Sequence, residues 1–152
     1  MAFFIDIRIG VGLSELHFGS SMADADLIFG KADKMEELND LEISPTILWH
    51  YYQLGFSLFF DANNDQIFTC VDMMNPHAKL WDLTIFDFTE KQIIQLFKDK
   101  GIYLYEQEHH DWGEKRLSFD EANIDFYFQK NRLVSVNYGL ITEGTQTLIL
   151  PN

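Results

Sequence analysis

Two segments carry the same helix signal 68 residues apart, the distance from Ser21 to Thr89, and this spacing is the strongest constraint on the fold. In DFTEKQIIQLFKDKG, Thr89 is a good N-cap, and Gln92 three residues later completes a capping box. In FGSSMADADLIFGK, Ser21 takes the capping position and Gly30 can end the helix. We therefore predict two short helices in equivalent positions.

The same offset joins apolar residues before, within and after the helices. It places Phe18, Ala25, Ile28, Phe29, Trp49, Tyr51, Phe56, Leu58, Phe59 and Phe60 on Phe86, Ile93, Leu96, Phe97, Leu117, Phe119, Ile124, Phe126, Tyr127 and Phe128. One constant offset that joins a helix to later strands is typical of a tandem duplication. Chance matching of common apolar residues is the alternative.

Alternating apolar residues predict a β-hairpin in each half. FSLFFDANNDQIFTCVDM turns at Ala62–Asp65, and NIDFYFQKNRLVSVNY turns at Lys130–Asn131, two residues tighter, so the offset becomes 66 beyond it. TILWHYYQLG and EKRLSFDEAN each predict a strand before the hairpin, and IYLYEQEHH, Ile102–His110, predicts a further strand. KADKMEELNDLEI is the less clear counterpart of that strand, with partly helical structure as the alternative.

These patterns predict an α+β fold of two tandem repeats, each a short helix packed on antiparallel strands. The strands form one continuous or paired sheet with one open face. Residues 1–75 form the first repeat and 76–152 the second, or the two are fused in one domain. The Asn-Pro turn signal in MNPHAK, Met74–Lys79, marks the junction.

Charge restricts the class of partner. The chain has 24 acidic and 11 basic residues and a net charge of -13. We expect it to be repelled by nucleic acid and anionic membrane surfaces and to attract basic proteins, with solubility of an aromatic-rich chain as the alternative role of the charge. MAFFIDIRIG lacks the basic region of a signal peptide, and no stretch of about 18 apolar residues predicts a membrane span. A cytoplasmic location is therefore predicted.

The segment FGSSMADADLIFGKAD resembles the opening of the BamE/SmpA-type small-domain family through Gly19, Ser21 and Gly30. A tandem pair of such units is similar to the β-lactamase inhibitor protein fold, and many bacterial immunity proteins are similar in build. The chain departs from this pattern because it has no lipobox cysteine, signal peptide or cysteine pair. The resemblance implies a cytoplasmic binding protein and carries over no catalytic residue.

Few residues suggest chemistry. His109 and His110 are adjacent, so on a strand they point to opposite faces and cannot bind one metal together. Cys70, the single cysteine, is predicted to be a structural thiol. Asp24 and Asp26 face different directions on a helix and suit its positive N-terminal end. No cofactor, metal or catalytic site is predicted.

Strand alternation sorts side chains into two faces. The predicted core set is Ile47, Trp49, Tyr51, Phe56, Leu58, Phe60, Leu117, Phe119, Ile124, Phe126 and Phe128. The opposite set, predicted to bind a partner, is His50, Tyr52, Phe59, Asp61, Tyr103, Tyr105, Asp125 and Tyr127. Its aromatic and acidic side chains are typical of an interface for a basic protein.

The predicted function is an inhibitory protein-binding module, such as an immunity protein that neutralises a basic toxin by covering its active site. The alternative is a small-ligand-binding protein or enzyme. Its site would lie in the groove between the halves, with His50, Cys70 or His109 in it.

Overall fold

The structure, a computed structural model, describes residues 5–39, 45–63 and 65–141. It confirms the predicted α+β class, because two α-helices combine with mostly antiparallel sheets. The described strands form one eight-stranded and one five-stranded sheet.

The large sheet is antiparallel throughout. Its strands, in spatial order, are β10 (Glu106–His109), β11 (Glu114–Phe119), β12 (Ile124–Gln129), β13 (Arg132–Gly139), β7 (Ile67–Met73), β6 (Phe56–Asp61), β5 (Thr46–Tyr51) and β4 (Lys34–Leu38). Because β13 pairs with β7, the sheet is continuous across the predicted boundary at residues 75 and 76.

The small sheet is built from short segments that precede each helix. In spatial order they are β3 (Leu16–His17), β2 (Gly12–Leu13), β1 (Asp6–Arg8), β8 (Lys79–Leu80) and β9 (Leu83–Thr84). A buried hydroxyl ties the two sheets together, since Tyr138 Oη donates to the Gly12 carbonyl oxygen at 2.9 Å. Gly12 has no room for a side chain, because a Cβ there would lie 2.0 Å from the Leu16 carbonyl oxygen.

Both helices begin with the predicted caps. The helices are α1 (Met22–Phe29) and α2 (Glu90–Asp99). At α1 the Asp24 N–H donates to Ser21 Oγ at 3.1 Å, and the Ser21 N–H donates to the Asp24 carboxylate at 3.3 Å. At α2 the Gln92 N–H donates to Thr89 Oγ1 at 3.2 Å, and the Thr89 N–H donates to Gln92 Oε1 at 2.9 Å. Each helix therefore begins with a reciprocal capping box.

The core lies between the large sheet on one side and the helices and small sheet on the other. Phe97 of α2 stacks on Phe119 at 4.0 Å between ring centroids and meets Phe126 edge-on at 5.7 Å. Every residue of the predicted core set is buried except Ile47, which is half-buried. This agreement confirms the predicted alternation of β5, β6, β11 and β12.

One predicted strand is longer than the observed one. The strand predicted over Ile102–His110 is limited to β10, and Leu104 is 79% exposed. The reason is that β11 passes into a 3-10 helix, Asp120–Ala122, and leaves the preceding residues without a partner strand. Within KADKMEELNDLEI the described residues form β4 and no helix, and residues 40–43 lie outside the described part.

Each helix is followed by four strands of the large sheet, but the two halves of the chain differ in the segments before the helix and in two spacings. Phe60 pairs with Phe68 and Phe128 pairs with Leu133, so the offset beyond the hairpin is 65, from Phe68 to Leu133, rather than 66. The turn before β7 is therefore three residues longer than the turn before β13. Phe18 is buried, whereas its predicted counterpart Phe86 lies in a 3-10 helix over Ile85–Asp87 that buries Ile85 and leaves Phe86 half-buried against the core.

Candidate functional site

One face of the eight-stranded sheet is left uncovered by the other elements that the structure describes. Both helices and the small sheet pack on the opposite face, where the aromatic core lies. We call the uncovered side the polar face. Strand by strand, it is formed by Lys34, Glu36, Leu38, Thr46, Leu48, His50, Ser57, Phe59, Asp61, Ile67, Cys70, Asp72, Arg132, Ser135, Asn137, Gly139, Asp125, Tyr127, Gln129, Glu114, Arg116, Ser118, Glu106 and Glu108.

A row of polar side chains crosses the middle of the polar face. Directly opposite one another in successive strands lie His50, Ser57, Asp72, Asn137, Asp125 and Ser118. The two serines are almost fully buried, at 4% and 2% exposure, because larger neighbours flank them. Such a row suits contact with water or with a polar partner rather than with a second apolar layer.

At the end of the row that lies on β11 and β12, the polar side chains are paired with one another through hydrogen bonds and ion pairs. Ser118 Oγ lies within hydrogen-bond distance of the Asp125 carboxylate and, at 3.3 Å, of the Asp120 carboxylate, and its single proton is donated to one of them at a time. Arg116 pairs with Glu108 at 2.9 Å and approaches Asp125 at 3.7 Å. The hydrogen bond from Arg116 lowers the pKa of Glu108. These side chains therefore hold one another in place.

Asp72 lies near the centre of the row, and its half-buried carboxylate has no such hydrogen bonds or ion pairs with other described residues. Burial raises the pKa of Asp72, and the nearby His50 opposes this effect in part. A half-buried carboxylate without a partner would be stabilised by a charge-assisted hydrogen bond from a cationic donor such as an ammonium or guanidinium group.

His50 connects a serine to a carboxylate. Its Nδ1 lies 2.6 Å from Ser57 Oγ, and its Nε2 lies 3.1 Å from Glu36 Oε1. Because an ionised carboxylate only accepts hydrogen bonds, a neutral imidazole here carries its proton on Nε2 and accepts from Ser57 at Nδ1. The ring of Tyr52 stacks on His50, with centroids 6.0 Å apart and planes inclined by 7°. A hydrogen bond from Lys34, 3.2 Å away, lowers the pKa of Glu36 and keeps it ionised.

A cleft of about 580 Å³ opens beside this array, next to the junction between the halves. Its lining includes His50, Tyr52, Ser57 and residues 74–77. Asn75 fixes one wall, because its Nδ2 donates to the Leu54 carbonyl oxygen at 2.8 Å. The cleft therefore has defined walls and direct access to the His50 array.

The structure does not bring together the three residues of the alternative prediction. His50 is on β5, Cys70 is on β7 and His109 is on the edge strand β10. Burial raises the pKa of Cys70 to about 12, and its Sγ donates to Asn137 Oδ1 at 3.5 Å. Cys70 is thus a neutral thiol at physiological pH, and His109 lies at the far side of the sheet.

The residues predicted to bind a partner fall into two groups. Five of them share the polar face: His50, Phe59, Asp61, Asp125 and Tyr127. Tyr52 lies just beyond β5 and is joined to them by its stack on His50. Tyr103 and Tyr105 precede β10 in extended chain, and Tyr105 tilts against the core ring of Phe119 at 6.0 Å, on the helix side of the sheet.

Sequence reasoning missed four polar-face residues that have distinctive environments: Glu36, Ser57, Asp72 and Arg116. Ser57 could have been found, since it alternates with the core residues Phe56 and Leu58. Asp72 could not, because the bulge opposite Phe59 and Phe60 changes the alternation along β7.

Within the described ranges, no three His, Cys, Asp or Glu side chains are grouped so that they could hold a metal ion. None of the helices in that part of the chain has the length and apolar character needed to cross a bilayer.

Comparison of the chain with protein-family models, with curated proteins and with solved structures found no match.

Proposed function

We propose that the chain is a protein-binding module that inhibits a basic protein by docking on it through the polar face. The observation that carries this proposal is Asp72, a half-buried carboxylate without a partner among the described residues, at the centre of an uncovered sheet face. A lysine or arginine of the partner would supply the missing donor. Such a fully desolvated ion pair at the centre of an interface is a typical hot spot.

Charge on the polar face favours a basic partner. Its carboxylates are Glu36, Asp61, Asp72, Glu106, Glu108, Glu114 and Asp125, and its cations are Lys34, Arg116 and Arg132. Two of these cations are already engaged, Lys34 with Glu36 and Arg116 with Glu108. The whole chain carries a net charge of -13 in addition. An acidic partner would be repelled, whereas a basic one would be steered toward this face.

Apolar contact area is also present on the polar face. Leu48 and Phe59 lie opposite each other on β5 and β6, and Tyr127 lies on β12; all three are half-buried. Aromatic and aliphatic side chains surrounded by charged ones make the usual pattern of an interface core and rim. They would anchor a partner whose cations pair with the surrounding carboxylates.

The inhibitory action that we propose is steric. A basic enzyme, such as a nuclease-like toxin, must present cations around its active site to bind an anionic substrate. A rigid acidic sheet that docks there would cover the site. The cell that makes the toxin would need this protein in the cytoplasm, as an immunity protein.

The tandem duplication belongs to the same proposal, and three correspondences support it. Capping boxes begin at Ser21 and at Thr89, 68 residues apart. A register shift occurs after Phe59 on β6 and after Tyr127 on β12, again 68 residues apart. Each helix is followed by four antiparallel strands. Duplication would explain how a small binding unit came to form one wide sheet.

Co-expression with a basic product of the neighbouring gene tests the proposal. We expect a complex, relief of the toxicity of that product, and at least tenfold weaker binding by Asp72→Asn. The matched control is Asp26→Asn on α1, which makes the same change in net charge on the opposite side and should alter binding less than twofold. Failure to bind any basic neighbouring product, or equal weakening by both variants, would overturn the proposal.

A further inference from the structure

We propose that Ser57 is an activated nucleophile, with His50 as its general base and Glu36 as the residue that orients the imidazole. The cleft beside it would admit small carboxylic esters. This activity does not depend on a protein partner and goes beyond the proposed function.

The first support is the geometry of the array. Ser57 Oγ is 2.6 Å from His50 Nδ1, and His50 Nε2 is 3.1 Å from Glu36 Oε1. A nucleophile within hydrogen-bond reach of a base, which a third group orients, is the arrangement that activates serine in acyl transfer. Adjacent strands hold all three residues, since His50 pairs with Ser57 on one side and β4 supplies Glu36 on the other.

Rigid positioning is the second support. Hydrogen bonds at both ring nitrogens fix the rotation of the His50 ring, and the ring of Tyr52 lies parallel to it with centroids 6.0 Å apart. Lys34 holds Glu36 at 3.2 Å and favours its ionised form, which is the form that accepts the Nε2 proton. The imidazole is therefore oriented before any substrate arrives.

Access is the third support. His50 and Ser57 both line the cleft of about 580 Å³, a volume within the range of about 300–1,000 Å³ for small-molecule sites. Asn75 and Pro76 form the opposite wall. The cleft has the volume for a small acyl group, and Ser57 forms part of its wall even though its neighbours in the sheet leave it only 4% exposed.

The reaction step is nucleophilic substitution at an acyl carbon. Ser57 Oγ forms a bond to the carbonyl carbon while its proton moves to His50 Nδ1. The bond from that carbon to the alkoxy oxygen then breaks, and the leaving alcohol takes the proton from Nδ1. Water repeats the sequence on the acyl-serine, gives up its proton through His50 and releases the carboxylic acid, which restores Ser57.

Ser118 supplies an internal comparison. It occupies the same row of the polar face and is equally buried, but its hydroxyl faces the carboxylates of Asp120 and Asp125, and no imidazole in the described part of the chain hydrogen-bonds to it. General-base assistance contributes about 10²–10⁴-fold to such reactions. Ser57 should therefore react while Ser118 stays inert.

Covalent labelling of the full chain with a fluorophosphonate probe, followed by intact-mass and peptide mass spectrometry, tests the proposal. In this reaction Ser57 Oγ bonds to phosphorus, fluoride leaves, and the proton passes to His50. We expect a single adduct on Ser57, loss of the adduct in Ser57→Ala, and about 100-fold slower labelling in His50→Gln. Ser118→Ala should be labelled at the rate of the unchanged protein.

The role of Glu36 is one of positioning, and comparison with a conservative variant reports on it. Glu36→Gln should slow labelling about tenfold, because an amide oxygen accepts the Nε2 proton more weakly than a carboxylate does, and Glu36→Asp, which keeps the carboxylate, should be slowed less. Circular dichroism shows that each variant is folded, and hydrolysis of p-nitrophenyl acetate gives a second readout that requires no covalent trap. An unlabelled Ser57 in the folded wild-type protein, or labelling that is insensitive to His50→Gln, would overturn the proposal and would leave the binding proposal untouched.

Discussion

Asp72 on β7 and Asn137 on β13 lie opposite each other where the two halves of the sheet meet. Asn137 accepts a hydrogen bond from the Cys70 thiol, whereas Asp72 has no partner among the described residues. Where β7 and β13 pair, a hydrogen-bonded amide, that of Asn137, therefore lies beside the Asp72 carboxylate, which has no hydrogen-bond partner among the described residues. This asymmetry makes the centre of the polar face suited to a cation.

Replacing Asp72 by Asn should stabilise the free protein at neutral pH by about 1 kcal/mol, the scale of a buried polar group without a partner. Burial raises the pKa of Asp72 in the folded state, so the folded state takes up the proton before the unfolded state as pH falls. As the pH falls through the folded-state pKa of Asp72 toward the ordinary pKa of an aspartate, the wild-type protein should therefore gain stability relative to Asp72→Asn. Urea unfolding at neutral and acidic pH measures this difference.

A suitable control for Asp72→Asn is Glu37→Gln on β4, an exposed carboxylate that should change stability little. A variant that both gains stability and loses partner binding would tie Asp72 to function rather than to folding. Destabilisation by Asp72→Asn at neutral pH would contradict the prediction.

Cys70 should react very slowly with iodoacetamide in the folded protein at neutral pH. Burial raises its pKa to about 12 from 9.0, so its thiolate fraction is lower by roughly a thousandfold. The rate should rise with pH and should increase sharply in urea. Because Cys70 is the only cysteine, mass spectrometry follows the reaction directly. Equal rates in folded and unfolded protein would contradict the assignment of Cys70 as a buried neutral thiol.

Phe97→Ala should cost about 3–5 kcal/mol of stability. Its ring is fully buried and contacts three aromatic neighbours, Trp81, Phe119 and Phe126. Leu27→Ala on α1 is the control, since that side chain is 85% exposed and should change stability by less than about 0.5 kcal/mol. Thermal or urea unfolding compares the two, and similar losses would contradict the packing described for α2.

Thr89→Ala and Ser21→Ala should each cost about 1 kcal/mol, because each removes the side-chain acceptor of a helix N-terminus. Thr89→Ser keeps the hydrogen bond to the Gln92 N–H and should remain close to wild-type stability. Urea unfolding of the three variants provides the measurement. If alanine and serine at position 89 had equal effects, the capping bond would contribute nothing.

Local patterns predicted much of the fold. The caps at Ser21 and Thr89 and the alternation of Phe56, Leu58 and Phe60 depend on neighbours close in the chain, and the structure reproduces them. The start of β10 and the length of the turn between β6 and β7 were predicted less well, whereas the turn predicted at Lys130–Asn131 is confirmed. Both depend on where a partner strand stops, which a single strand does not encode.

The candidate site was predicted only in part, for a related reason. His50, Phe59, Asp61, Asp125 and Tyr127 were placed together by alternation alone. Tyr103 and Tyr105 do not belong to this group, because they precede β10 and lie outside the strands of the sheet.

What the amino-acid sequence determined by itself is the class of fold, the two helices, the core face of each strand pattern and the strong negative charge. All of these follow from periodicity, capping chemistry and composition, which act over a few residues. Only the tertiary structure decided that β7 and β13 join the halves into one sheet, that Ser57 and Glu36 meet at His50, and that Asp72 is left alone at the centre. These relationships arise from strand order and register between distant segments, where hydrogen bonds and burial depend on the whole fold.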